Sequence, residues 1–108
     1  MPCLLVRWVA DEPQPGLVEA VLTDVTGKRW HFIEKVAIVS RETLGNNSEF
    51  PRPGVIRCEI LENSDAESKY GICKISTERP DGVVATENHQ TVFDVTWDEV
   101  EVSRKETI

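Results

Sequence analysis

Residues 17–33 read LVEAVLTDVTGKRWHFI, and in this stretch the turn chemistry and the face pattern agree with each other. Asp24 and Gly27 suit the first and fourth positions of a type I turn, and a left-handed Gly27 gives a three-residue hairpin loop. The loop sets the register. Leu22 falls opposite Trp30 and Ala20 opposite Phe32, with Val18 on their side, so one face of the hairpin is wholly apolar. Glu19, Thr23, Arg29 and His31 take the other face, His31 opposite Val21.

The same period-two alternation recurs on both sides of this hairpin, and no window of a dozen residues holds a helical stripe. Residues 4–10 predict a first strand, with Leu4, Val6 and Trp8 on one face and Leu5, Arg7 and Val9 on the other. It ends at residues 11–16, where two prolines and a glycine oppose ladder pairing. Residues 36–39 are apolar on both faces, as in a covered central strand that bends after Glu34 and Lys35. Residues 41–54 read as loop, with at most a helical turn at 42–44.

Residues 55–62 and 70–77 predict a second hairpin, and residues 83–86 a short segment after a turn at 79–82. Residues 91–97 give the last secure strand, with Phe93, Val95 and Trp97 on one face. Asp98 and Glu99 then shift the phase so that Val100 and Val102 can follow.

The fold class is therefore mainly β with little helix: a single small antiparallel barrel or sandwich of about six strands, the size of OB-like and SH3-like barrels. The domain spans residues 1–103, and residues 104–108 form a C-terminal tail expected to fray. A chain of 108 residues suffices for one core.

The second hairpin carries Cys58 and Cys73. A symmetric loop centred near Asp65 sets Cys58 across from Cys73 and Ile56 across from Ile75, with both thiols facing the core. A thiol among isoleucines keeps its proton and is a poor ligand and nucleophile. No CxxC or HxH occurs, and the histidines are His31 and His89, so neither a metal site nor a cofactor is expected. The acid-containing loops lack EF-hand spacing.

Nineteen acidic against twelve basic residues give a net charge of −7, which opposes binding to phosphate backbones and anionic membranes. No apolar run is long enough to span a bilayer, and three cysteines do not form an oxidised framework, so a soluble cytoplasmic protein is expected. Between Pro80 and Ser103 there is no Lys or Arg, while Asp81, Glu87, Asp94, Asp98, Glu99 and Glu101 supply six acids.

That stretch suggests docking of a basic protein through Asp94, Asp98, Glu99 and Glu101. Phe50 and Arg52, in a proline-stiffened loop, add hot-spot chemistry. The bland reading of the acids is a solvated strand face that protects an edge, and that of Phe50 is an anchor for its own loop.

The sequence-level reading is a non-catalytic acidic protein-interaction module, of inhibitor or immunity type, with a basic partner. The alternative is a small barrel binding a ligand or single-stranded nucleic acid through Arg29, His31, Arg57 and Lys74, all outward-facing in these registers. An enzyme ranks third. No GxSxG elbow, phosphate-binding loop or dinucleotide glycine pattern occurs, though a triad assembled in space escapes such a reading. An exposed edge strand offers a route to a homo-oligomer.

Overall fold

The computed structural model describes residues 1–63, 71–96, 99 and 100. Seven strands and one short helix lie wholly among them: β1 (Pro2–Ala10), β2 (Leu17–Thr23), β3 (Arg29–Lys35), α1 (Val36–Val39), β4 (Arg52–Val55), β5 (Glu59–Asn63), β6 (Ile72–Ser76) and β7 (Val92–Thr96). Glu99 and Val100 are also helical. They form two antiparallel sheets, one of four strands in the order β3-β2-β1-β4 and one of three in the order β5-β6-β7. The sheets do not join into a closed barrel. No described helix is long and apolar enough to cross a membrane.

The first hairpin has the register that its turn predicts: Leu22 pairs with Trp30, Val21 with His31 and Ala20 with Phe32. Asp24 builds the turn. Its Oδ1 accepts from the Thr26 and Lys28 backbone N–H groups (2.9 and 3.1 Å) and from the Thr26 hydroxyl (2.6 Å), and its Oδ2 accepts from Trp30 Nε1 (2.9 Å). Burial pushes this carboxyl upward, but the four donors outweigh it and hold it below the usual range. Gly27 takes the left-handed conformation (φ +86°). The turn also meets the other sheet, where Val25 N–H donates to the Asp94 carbonyl (2.9 Å).

Both sheets turn one face inward. Leu5, Val18, Ala20, Leu22, Trp30 and Phe32 from the four-stranded sheet meet Cys73, Ile75, Phe93 and Val95 from the three-stranded one. Phe93 joins the layers, with Trp30 and Phe32 packed edge-on to its ring at centroid distances of 5.2 and 5.7 Å.

Several expectations are corrected. A register shift in β1 between Leu5 and Arg7 reverses the alternation, so Leu5 and Trp8 both face the core while Leu4 is 44% exposed. Val36–Val39 is one turn of helix and not a central strand: Val36 and Val39 point inward together, at helical spacing. Part of the expected loop at 41–54 is strand β4, which pairs with β1 at the edge of its sheet, a place where Pro53 is tolerated.

The second hairpin has another register than expected. β5 starts only at Glu59, Ile60 pairs with Ile75, and a bulge at Leu61 brings Asn63, not Cys58, opposite Cys73. Cys58 precedes the strand and packs half-buried against the core. Residues 83–86 form no strand, although Val83 and Ala85 are buried. Val100 is buried with helical backbone, so the expected strand continuation fails there; Trp97 and Val102 lie outside the described residues.

Candidate functional site

Three of the four described acids of the last quarter, Asp81, Glu87 and Asp94, are matched by Arg57, His31 and Lys74 from elsewhere in the chain. Asp81 holds the Arg57 guanidinium in a two-pronged pair, Nε to Oδ2 at 2.9 Å and Nη2 to Oδ1 at 2.5 Å, which raises the Arg57 pKa further. Lys74 Nζ lies 3.1 Å from Asp94 Oδ1 across β6 and β7, with the two side chains 42% and 47% exposed, so this pair contributes little to stability. Glu99 accepts from the Thr96 hydroxyl (2.9 Å). Asp98 and Glu101 lie outside the described residues.

Glu87 makes a clasp on the edge strand β3. Its Oε1 accepts from the His31 backbone N–H (2.9 Å), its Oε2 lies 2.6 Å from His31 Nδ1, and the His31 carbonyl accepts from Thr86 N–H (2.7 Å). Burial works to raise the Glu87 carboxyl, but these contacts prevail and hold it down to about 2. A depressed carboxyl stabilises the fold above its ordinary value of 4.5, and that contribution is lost as pH falls from there toward 2. Glu87→Gln is expected to cost about 1 kcal/mol near neutral pH, the small value reflecting a part-exposed contact. It is also expected to flatten the acid limb of the stability curve, which urea titrations across that pH window would measure.

The four residues of the alternative ligand set are not assembled into one site. Arg29 and His31 stand two residues apart on the outer face of β3, Lys74 is on the outer face of β6, and Arg57 is tied to Asp81. Near Asp81 lies Glu34, whose carboxyl is raised chiefly by burial, with the Lys35 N–H opposing and the Asp81 charge adding.

Phe50 packs half-buried against the core. Arg52 sits on the inward side of edge strand β4, level with Leu5, and reaches Glu42 through Nη2 (2.8 Å), while its buried Nε finds no partner among the described residues. An inward charge on an edge strand discourages pairing with other chains.

The thiols are protected. Cys73 is fully buried; burial pushes Cys3 up to about 12 and raises Cys58, with the N-terminal amine pulling each the other way. Among the described residues no three His, Cys, Asp or Glu side chains converge as a metal site. Two open hollows of about 120 and 140 Å³ flank Val55, sharing Ser40 and Arg41, and each has room for little more than a single side chain.

What sequence reasoning did not single out is the apolar surface beside the acids. On the three-stranded sheet, Leu61 is 47% and Ile72 46% exposed on neighbouring strands, with Glu59 exposed on β5 and Asp94 two strands away. Ile72 shares the parity of Lys74, so its outward direction was readable; Leu61 stands out because of the bulge. No family model, curated protein or solved structure matches the chain.

Proposed function

We propose that this chain is a non-catalytic protein-interaction module that receives a basic partner on the outer face of β5-β6-β7. The observation that carries the reading is exposed Leu61 and Ile72 with Glu59, Asp94 and Glu99 around them, three acids against Lys74, the one base among the described residues of this face, which Asp94 holds. An apolar centre inside a charged rim is the anatomy of a protein-binding patch, in which the centre supplies affinity and the rim supplies steering. The net charge of −7 adds attraction at a distance for a cationic protein. An inhibitor that covers a cationic enzyme would use such a face.

Affinity capture from the source lysate, at low and at high salt, tests this reading. The intact chain is expected to retain a basic protein that high salt releases, and Ile72→Lys is expected to weaken capture at least tenfold, in line with an apolar anchor worth more than ~1.4 kcal/mol. Equal capture by the intact chain and the variant would overturn it.

A further inference from the structure

The outer face of the four-stranded sheet is the electrostatic opposite of the face just described. Its rows follow from the register: Arg7, Glu19 and Ile33 in one, Leu4, Val21 and His31 in the next, with Arg29 and Lys35 near the two ends of β3. Arg7, Arg29 and Lys35 are exposed, and Leu4 is 44% exposed beside half-buried Val21 and Ile33. Of the two acids here, Glu19 is held by Arg7 and Glu87 by His31. In a chain of net charge −7, this face thus has a positive excess around an apolar centre.

We propose that the occupant of this face is a second copy of the chain, which docks its acidic β5-β6-β7 face against the basic face of the first. The inference rests on the reading of the acidic face given above and names one basic surface that fits it. Each face supplies what the other lacks: Leu4, Val21 and Ile33 would meet Leu61 and Ile72, while Arg29 and Lys35 would meet Glu59 and Glu99, since Arg7 and Asp94 already have ion-pair partners in Glu19 and Lys74. Two different patches of one chain meeting head to tail make a heterologous contact, so each copy keeps one face of each kind for further neighbours.

The size of the faces sets the strength. At ~4.8 Å between strands and ~3.4 Å per residue, three or four strands give a face of about 15–20 Å on a side, below the footprint of a standard stable interface. Self-association is therefore weak, dependent on concentration and relieved by salt, which also screens the rim charges. A nucleic acid is a poorer occupant, because no Trp, Tyr or Phe lies on the outward rows of this face to stack bases.

Sedimentation velocity of the purified 108-residue chain, over a hundredfold range of concentration at low and high salt, tests the proposal. The expected result is a weight-average mass that rises with concentration at low salt and falls back to the monomer at high salt. Leu4→Glu and Ile72→Lys, each damaging one of the two faces, are each expected to abolish the rise. A mixture of the two is expected to recover a discrete one-to-one dimer, because the variants retain complementary intact faces.

A monomer under all conditions, or association that Leu4→Glu leaves intact, would overturn the inference. Recovery of the mixed dimer excludes misfolding as the cause of the single losses. Leu4→Glu is expected to leave capture of the basic lysate protein unchanged, whereas Ile72→Lys loses both activities. A monomeric chain that still captures its partner would thus sink this inference alone, and a self-associating chain that captures nothing would sink the functional reading alone.

Discussion

Phe93→Ala is expected to cost about 3–5 kcal/mol, the range for removing a buried aromatic ring, from a fold whose whole stability is on the order of 5–15 kcal/mol. Phe93 is the place where the two sheets hold each other: its ring receives Trp30 and Phe32 edge-on, and it is almost fully buried. Its loss leaves a cavity between layers that cannot close without shifting a strand, and the cavity adds to the lost transfer free energy. The expected fall in Tm is roughly 15–25 °C for a domain of this size. Val84→Ala, at an exposed position, is expected to move stability by less than about 0.5 kcal/mol and serves as the reference. Thermal unfolding followed by circular dichroism checks both, and a Phe93→Ala loss below about 1 kcal/mol would contradict this account of the joint.

Gly16→Ala is the second large effect, expected at about 2–4 kcal/mol from backbone strain and overpacking together. Gly16 has φ +133°, and a Cβ there would lie 2.3 Å from Trp8 Cζ2 and Cη2. Trp8 has little freedom to yield, because its Nε1 donates to Asp11 Oδ1 (2.9 Å) and its ring packs on the core. The residue is also tied by its carbonyl to Val36 N–H (3.0 Å), so the backbone resists moving away. Gly27→Ala isolates the conformational share: φ is +86° there but nothing lies within 4 Å of the added carbon, so a cost of only about 1 kcal/mol is expected. Urea midpoints of the two variants measure the difference; equal losses would show that the Trp8 contact is unimportant.

How much of this was legible follows from where the register information sits. The first hairpin could be read residue for residue because Asp24 and Gly27 fix both ends of a short loop and the flanking faces agree with it. The second could not, since its long connection carries no single turn signal and the bulge at Leu61 breaks the parity on which a face argument depends. The shift in β1 had the same effect on Leu4 and Trp8. Val36–Val39 has β-favouring residues, yet four apolar positions are too few to separate strand from helical turn by period alone.

For the site, the sequence displayed the acids but not their partners. Arg57 with Asp81, His31 with Glu87 and Lys74 with Asp94 are separated by 24, 56 and 20 positions, and such pairs exist only once the sheets have met. The excess of acid in the last quarter is correspondingly smaller on the folded surface than along the chain. The outward direction of Ile72 follows from its parity with Lys74, but Leu61 becomes notable only in the folded chain, because the bulge between Ile60 and Glu62 breaks the alternation.

The clasp on β3 also has a consequence for the order of folding. The His31 edge is covered by residues 86 and 87, and the turn at Val25 is met by Asp94, so the earliest hairpin waits for the last third of the chain to emerge before its outer rim is shielded. Contacts this distant in sequence are slow to form, and until they do, the bare rim is free to recruit a strand from another molecule. During synthesis, the interval between the appearance of His31 and that of Glu87 is the window in which aggregation competes with folding.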